Sequence, residues 1–361
     1  MIFYLSKKHH QYTMRPRLRD LAMPLPLREE LLRRLRLLSY EEAFRLNALP
    51  IGSYIFTDLD RLNPEQTERA AILWDALRNS GHGLKLLNHP VRSMRRFELL
   101  RQLRECGIND FDVCRLTDRR PLRFPVFIRS ENEHLGSVTP LLRSPGELDA
   151  AIEKLAADGM SRDDKIIVEY RDVADARGLH HRYGAYIIGA RIFAGNLFFS
   201  RDWMVKRLQP EFAHGEFLAE EDQYVRTNPH EGMLRPIFAL ARIEYGRMDY
   251  AMVDGRVQVF EINTNPIAPI VEELLPALRE LDYSPSRAVR IPLRRHFEPP
   301  WEERVNWAFR VASAVHVLLR ACRLLALEPG AQSILRSIKR GLVRAPVSRK
   351  PTDGRGTVSS R

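Results

Sequence analysis

The chain has 361 residues, 44% of them hydrophobic, and a formal net charge of +11. This length is enough for two or three compact domains, and no stretch reaches the roughly 18 uncharged apolar residues that a membrane-spanning helix needs. The opening residues MIFYLSKKHH lack the apolar segment and cleavage site of a secretory signal, so we expect a cytoplasmic protein.

The positive charge is concentrated in the last segment of the chain. Residues 331–361 contain eight Lys or Arg and a single Asp, so they carry +7 of the total charge. The segment VRAPVSRKPTDGRGTVSSR has no hydrophobic periodicity and few large apolar residues, which predicts a disordered basic tail. Such a tail keeps a protein soluble or, as an alternative, contacts nucleic acid or an acidic surface.

The first third of the chain predicts alternating strands and helices. IFYL is a first strand, and residues 27–38 carry leucines at helical spacing, which predicts an amphipathic helix. Asn63 followed by Pro64 begins a further helix. The alternation over residues 52–114 predicts an open α/β sheet with mostly parallel strands, in an N-terminal domain of residues 1–90.

The pattern then changes to that of an antiparallel sheet. FPVFIRS and KIIVEYR are strands, and RYGAYIIGARIFAGNLFFS alternates around a turn at Gly189, which predicts an antiparallel meander. We therefore predict a second, α+β domain over residues 91–290, with subdomains of about 91–170 and 171–290. A long amphipathic helix over 300–328, interrupted by arginines, is predicted to dock on protein.

A hairpin, RMDYAMVDGRVQVFEINTNP, carries three oxygen-bearing side chains at one end. Glu261 and Asn263 are two positions apart on the second strand and therefore point to one face. A two-residue turn would direct Asp249 to the opposite face, whereas a three-residue loop ending at Gly255 brings it to the same face. We predict the three-residue loop.

Two carboxylates and an amide on one face form a set of hard oxygen donors, which Mg²⁺ prefers. The alternative is that Asp249 and Glu261 are ordinary strand-end acids paired with arginines. Asp58 and Asp60 follow another strand, at an edge where ligands often bind in open α/β sheets, but a solvated loop explains them as well.

Three motifs in order along the chain resemble the ATP-grasp superfamily: FPVFIRSENEHLG, IIVEYR and the hairpin that ends in EINTNP. The resemblance covers roughly residues 85–270. It implies an ATP-grasp fold that combines α/β and α+β parts, preceded by the N-terminal open α/β domain and followed by a C-terminal helical extension. The region 91–290 would then be the ATP-grasp domain.

The resemblance also implies ATP and Mg²⁺ as cofactors. By position, Asp249, Glu261 and Asn263 would ligate the metal. Arg247 would act in catalysis by stabilising negative charge on the transferring group; alternatively, it is a surface arginine paired with a neighbour such as Glu244.

Further contacts to the nucleotide are implied by position. The superfamily has one lysine where this chain has Arg95 and Arg96, and another where it has Arg129; Arg96 and Arg129 are the candidates, since arginine retains the charge with a different geometry. The other candidates are Glu169 and Tyr170 at the adenine, Asp175 or alternatively Asp172 at the ribose, and Arg191 and Lys206 in the cleft. Each of these also has a purely structural interpretation, as a sheet residue or a solvated loop or strand end. His134 is a candidate substrate contact or acid/base group; alternatively, it is an ordinary loop histidine.

The function implied is an ATP- and Mg²⁺-dependent ligase that joins small-molecule carboxylate and amine (or thiol) substrates through an acyl-phosphate, forming C–N bonds when the acceptor is an amine. One alternative is a nucleotide-binding module that has lost catalysis and acts through partners. Another is a kinase-like enzyme with a hydroxyl acceptor.

Overall fold

The computed structural model describes residues 1–118, 122–134, 136–206, 209–283 and 290–293, all within one compact unit. The predicted helix over 300–328 and the predicted tail over 331–361 lie outside the described residues. Within the described ranges, no helix combines the length and the apolarity that a membrane crossing requires.

The first layer is a parallel four-stranded sheet in the order β2-β1-β4-β5. Its fully buried side chains include Tyr4 and Phe56. The strands are β1 (Ile2–Ser6), β2 (Leu35–Ser39), β4 (Ser53–Phe56) and β5 (Leu86–Leu87); β3 (Ala48–Pro50) pairs instead with β13 (Arg290–Pro292). The helices of this part are α1 (Arg15–Arg19), α2 (Leu25–Arg34), α3 (Tyr40–Ala43) and α4 (Pro64–Arg78).

Capping side chains explain where two of these helices begin. The Ser39 hydroxyl accepts a hydrogen bond from the Glu42 N–H, and Asn63 does the same for Gln66, each within a capping box. Helix α4 therefore begins where the sequence predicted. The predicted helix over 27–38 is wrong in its second part, because LRLLS pairs with β1 and this tertiary pairing outweighs the helical spacing of the leucines.

The second layer is a three-stranded antiparallel sheet in the order β6-β8-β7. It comprises β6 (Val113–Arg115), β7 (Val126–Ser130) and β8 (Lys165–Glu169), together with α5 (Arg96–Glu105) and α6 (Pro145–Ala157). The predicted parallel sheet therefore ends at β5. The extension of that prediction to residue 114 is wrong, because β6 pairs antiparallel with β8.

The third layer is an antiparallel four-stranded sheet in the order β10-β9-β11-β12. The strands are β9 (His180–Ile188), β10 (Arg191–Ser200), β11 (Tyr245–Val253) and β12 (Arg256–Asn263), and the helices are α7 (Gly215–Thr227), α8 (Glu231–Ala241) and α9 (Val271–Leu281). The predicted antiparallel meander is confirmed by the pairing of β9 with β10. Parallel and antiparallel sheets with packed helices confirm the predicted combination of α/β and α+β parts.

The turn between β11 and β12 differs from the prediction. Val253 pairs directly with Arg256, so the turn has two residues, both with positive φ. The hairpin instead contains one unpaired residue within β12. Tyr250 lies opposite Val259, but its neighbour Asp249 lies opposite Glu261, so the residue between Val259 and Glu261 forms a bulge. This bulge changes the face of every residue beyond it. The three-residue loop is wrong, but Asp249 does share a face with Glu261.

The Asn88 side chain joins the first sheet to the third. Its amide nitrogen donates to the carbonyl oxygens of Phe56 (3.0 Å) and Tyr245 (2.8 Å). Its amide oxygen accepts from the backbone N–H groups of Glu244 (2.8 Å) and Tyr245 (3.0 Å). Asn88 is fully buried and has a φ of 61°, a conformation that asparagine tolerates better than most residues.

We expect Asn88→Ala to lower the free energy of unfolding by about 2–3 kcal/mol, because four backbone groups, three of them in buried hydrogen bonds, lose their partner. Urea denaturation measures this loss. Asn79→Ala, at the exposed end of α4, is the matched control and should change stability by less than about 0.5 kcal/mol. Equal stability of the two variants would contradict the joining role of Asn88.

Candidate functional site

The three predicted metal ligands lie on one face of the third sheet. Asp249 on β11 lies directly opposite Glu261 on β12, and Arg247 lies opposite Asn263 two positions along. Asp249 is only 3% exposed. The Asn263 side-chain oxygen accepts a hydrogen bond from the Asn265 N–H at 2.8 Å. The structure therefore brings these four predicted residues together.

Glu261 is surrounded by positive groups. Its Oε2 accepts hydrogen bonds from Arg96 (2.6 Å) and Arg129 (2.9 Å), and its Oε1 lies 3.3 Å from Nδ1 of His134. Burial opposes the ionisation of Glu261, but Arg96, His134 and Arg129 together hold its pKa well below the usual range. Glu261 is therefore a carboxylate at neutral pH.

Asp249 is also surrounded by positive groups, in this case Arg182 and Arg247. Its Oδ1 accepts from Nε of Arg247 (2.7 Å), and its Oδ2 accepts from Arg182 (2.9 Å) and from Nη2 of Arg247 (3.0 Å). Burial disfavours the charged form of Arg247, yet Asp249 raises the pKa of this arginine above its usual value. Arg247 is thus held against Asp249, whereas Glu244 accepts from the backbone of Asn88.

Arg96 supports the loop that follows β7. It is the first residue of α5 and only 4% exposed. Its Nη1 donates to the carbonyl oxygens of Ser130 (3.0 Å), Glu131 (2.7 Å) and Glu133 (2.8 Å), while Nη2 reaches Glu261. These contacts satisfy most of its donors, and Arg96 is not among the residues that line the adjacent cavity.

A cavity of about 190 Å³ opens beside the two carboxylates. Its lining residues form two groups, here called the apolar end and the charged end. The apolar residues belong to one hydrophobic cluster: Leu100, Phe111, Phe127, Val168, Trp203 and Phe260. The charged residues are joined by ion pairs and hydrogen bonds: Arg129, Arg182, Lys206, Asp249 and Glu261. Arg129 is 9% exposed, and burial together with the neighbouring Arg96 lowers its pKa to about 10, so it keeps its charge at neutral pH.

Glu169 and Tyr170 lie at the wall of this cavity, where β8 ends. The Glu169 carboxylate accepts from the backbone N–H groups of Asp112 (3.0 Å) and Arg123 (2.7 Å), so its side chain holds the local backbone. The Tyr170 ring lies edge-on to Trp203, with ring centres 5.8 Å apart. Burial and the nearby Asp172 raise the pKa of Tyr170 to about 12.

Two predicted nucleotide contacts are not part of the cavity lining. Asp175 accepts from Nε of Arg177 (2.8 Å) and contacts Nε2 of His181 (3.0 Å). Arg191 pairs with Glu280 at 2.6 Å on a half-exposed surface. Neither Asp175 nor Arg191 lines the cavity, whereas Arg129, Glu169, Tyr170 and Lys206 do.

Asp58 and Asp60 are buried, so the interpretation as a solvated loop is wrong. Asp58 binds His10 (2.7 Å) and Arg61 (2.7 Å). Asp60 lies 3.7 Å from Nε2 of His134, and burial raises its pKa although His134 opposes the shift. The end of the first sheet therefore reaches the charged end of the cavity through Asp60 and His134.

Sequence reasoning missed Arg182 and Trp203. Gly184 on β9 lies opposite Asp249, and Arg182 is two positions before Gly184 on the same strand. Strand alternation therefore places the side chains of Arg182 and Asp249 on one face of the sheet. That signal becomes usable only once β9 is known to pair with β11. Trp203 follows β10, and its ring centre lies 5.0 Å from that of Phe127.

Within the described ranges, no group of three His, Cys, Asp or Glu side chains is arranged to hold a metal ion. The candidate donor set consists instead of two carboxylates and the amide of Asn263. All four oxygens of Asp249 and Glu261 already contact arginine or histidine nitrogens. A metal ion at this face would therefore have to take the place of some of these contacts.

No family model matches the chain, and no curated protein matches it. Solved structures do match. D-alanine–D-alanine ligase from Bacillus anthracis is 13% identical over 78% of this chain and 96% of that chain, with a TM-score of 0.42. The RimK domain ATP-grasp protein from Sphaerobacter thermophilus is 12% identical over 78% of this chain and 98% of that chain, with a TM-score of 0.41.

An L-amino acid ligase from Bacillus licheniformis is 14% identical over 73% of this chain and 66% of that chain, with a TM-score of 0.38. One of these matches, the Sphaerobacter thermophilus protein, is described as an ATP-grasp protein, the superfamily that the sequence motifs resemble. Identities of 12–14% and TM-scores near 0.4 say nothing about activity. The function of this chain has to be argued from its own side chains.

Proposed function

We propose that this chain binds ATP in the cavity and uses it to join a carboxylate to an amine or a thiol. The observation that carries the proposal is the division of one cavity into an apolar end and a charged end. An adenine ring fits between aromatic and aliphatic side chains, and a polyphosphate fits beside buried arginines. The proposed surroundings of the adenine are Phe127, Val168 and Trp203, and those of the phosphates are Arg129, Arg182 and Lys206.

The proposed reaction has two steps. A carboxylate oxygen of the first substrate attacks the γ-phosphorus of ATP, the bond to the β-γ bridging oxygen breaks, and ADP leaves. The amine nitrogen or thiol sulfur then attacks the acyl carbon, the acyl–oxygen bond breaks, and phosphate leaves while the nucleophile loses a proton to solvent. Arg247 is the proposed catalytic residue, because negative charge that develops on the transferring group would be stabilised by its fixed guanidinium.

The donor set fits Mg²⁺, since carboxylate and amide oxygens on one face are the hard ligands that this ion takes. Asp249, Glu261 and Asn263 would hold it, and when bound it would supply charge neutralisation and orientation of the phosphates. Arg129 and Arg182 bind these carboxylates directly. Phosphate oxygens would offer the two arginines alternative acceptors, so we expect Mg²⁺ to bind together with the nucleotide.

Calorimetry and product analysis test the proposal. ATP with Mg²⁺ should bind one-to-one, Mg²⁺ alone should give no measurable heat, and mixtures of carboxylates and amines should release ADP and phosphate. The test uses the full chain. Absence of ATP binding, or ATP binding without ADP release from any mixture, would contradict the ligase proposal.

A second candidate function is a nucleotide-binding module without catalysis. The specific observation in its favour is that all four carboxylate oxygens of Asp249 and Glu261 contact basic side chains. Nucleotide binding without turnover, unchanged by Glu261→Gln, would support this candidate. ADP release that Glu261→Gln abolishes would support the ligase instead.

A further inference from the structure

The side chain of Lys206 lies directly against Gly136. Gly136 belongs to the loop after β7 and has a φ of 96°. The position that a β-carbon would occupy there is 2.6 Å from Cε and 2.9 Å from Nζ of Lys206. Distances below about 3.0 Å are not found for real β-carbons. The lysine therefore occupies space that exists only because residue 136 has no side chain.

Other glycines with positive φ do not show this arrangement. Gly159 has a φ of 70° and Gly178 a φ of 72°, and at neither residue does any heavy atom lie within 4 Å of the point where a β-carbon would be. At these two positions the backbone conformation alone accounts for glycine. At Gly136 the conformation favours glycine, and Lys206 in its observed position also leaves no room for a β-carbon.

Both residues belong to the charged end of the cavity. Gly136 and Lys206 line it together with Arg129 and Arg182. The Lys206 carbonyl oxygen also accepts a hydrogen bond from Arg182 at 3.1 Å, so the segment that carries the lysine is tied to the arginine that binds Asp249. The first part of the loop is fixed by the three carbonyl contacts of Arg96.

We propose that Gly136 is a positioning residue for Lys206, which contacts the phosphates of the bound nucleotide. This inference rests on the proposed function, in which the charged end of the cavity binds phosphate. Arg96 binds the loop after β7 and Glu261, and it does not line the cavity. Among the described residues that line the cavity, Lys206 is the one lysine. Its ammonium group would bind phosphate, and Gly136 would direct it there.

The atoms that an added β-carbon would meet are at the far end of a flexible side chain. Gly136→Ala should therefore displace the lysine and leave the surrounding backbone in place, apart from the strain of a positive φ. Gly159→Ala carries the same kind of strain without any neighbour and is the matched control. Lys206→Met removes the charge and keeps most of the apolar stem.

Calorimetric titrations of the full-length protein with ATP and with adenosine test the proposal. Gly136→Ala and Lys206→Met should each weaken ATP binding about tenfold or more, the effect of one charge-assisted hydrogen bond. Adenosine binding should stay unchanged, because adenosine has no phosphate. The double variant should lose no more than Lys206→Met alone, since both substitutions remove one interaction.

Three outcomes would overturn the inference: ATP affinity of Gly136→Ala equal to that of Gly159→Ala, an equal loss of adenosine affinity, or additive losses in the double variant. A wild-type protein that binds neither ligand would contradict the proposed function instead.

A second measurement tests whether Gly136 fixes the position of the Lys206 side chain without relying on nucleotide binding. It is the rate at which an amine-reactive reagent labels Lys206, read by mass spectrometry. It should rise in Gly136→Ala but not in Gly159→Ala, and an unchanged rate would overturn the inference.

Discussion

Replacing Arg96 by methionine is expected to lower the free energy of unfolding by about 3–5 kcal/mol, the cost of removing one partner from a buried ion pair. The substitution leaves the Glu261 carboxylate without its closest cation, at 2.6 Å. It also removes the donor shared by three carbonyl oxygens of the loop after β7. Methionine retains much of the apolar stem, so the loss reports mainly on the charge and the hydrogen bonds.

Urea denaturation at neutral pH measures this effect, with Arg104→Met as the control. Arg104 lies on the same helix, α5, and is exposed, so its replacement should change stability by less than about 0.5 kcal/mol. A loss below about 1 kcal/mol in Arg96→Met would show that Glu261 and the loop do not depend on this arginine.

Replacing Arg247 by methionine is expected to lower kcat about 10²–10³-fold, the effect of removing one group that stabilises charge in a transition state. ATP affinity should change by less than about threefold, because the contact proposed for Arg247 is to charge that develops only in the transfer step, whereas Arg129, Arg182 and Lys206 line the cavity proposed to bind the phosphates of ATP. Arg182 keeps its contact with Asp249 in this variant, at 2.9 Å, so that carboxylate retains a partner. Steady-state ADP release and calorimetry give the two quantities.

Arg235→Met is the control for this measurement. Arg235 is an exposed arginine of α8 that pairs with Glu231, away from the cavity, and its replacement should leave kcat unchanged. If Arg247→Met weakened ATP binding as strongly as it lowered kcat, the arginine would act in binding the nucleotide and not in the transfer step. A kcat equal to that of the wild-type protein would remove Arg247 from the catalytic proposal.

Local signals in the sequence predicted the elements that depend on local chemistry. The helix that begins at Pro64 follows from its Asn63 cap, and the β9–β10 hairpin follows from alternation around Gly189. The segment LRLLS was predicted as helix, because leucine spacing cannot distinguish a helix from a strand whose partner, β1, lies far away in the sequence. The pairing with β1 therefore determines that this segment forms a strand.

The same limit applies to the site. Strand alternation identified Glu261 and Asn263 as neighbours, and the bulge that brings Asp249 to their face could not be located, since a bulge is set by packing across two strands. Arg182 and Trp203 could not be assigned to the cavity before the pairing of β9 and the course of the chain after β10 were known.

A crystal structure of the protein with Mg²⁺ and a non-hydrolysable ATP analogue tests the central claim most directly. We predict the adenine between Phe127, Val168 and Trp203, and phosphate oxygens within about 3.2 Å of Arg129 and Lys206, the range of a hydrogen bond. An analogue bound outside this cavity, or one bound with its phosphates directed away from Arg129 and Lys206, would contradict the nucleotide site proposed for this chain.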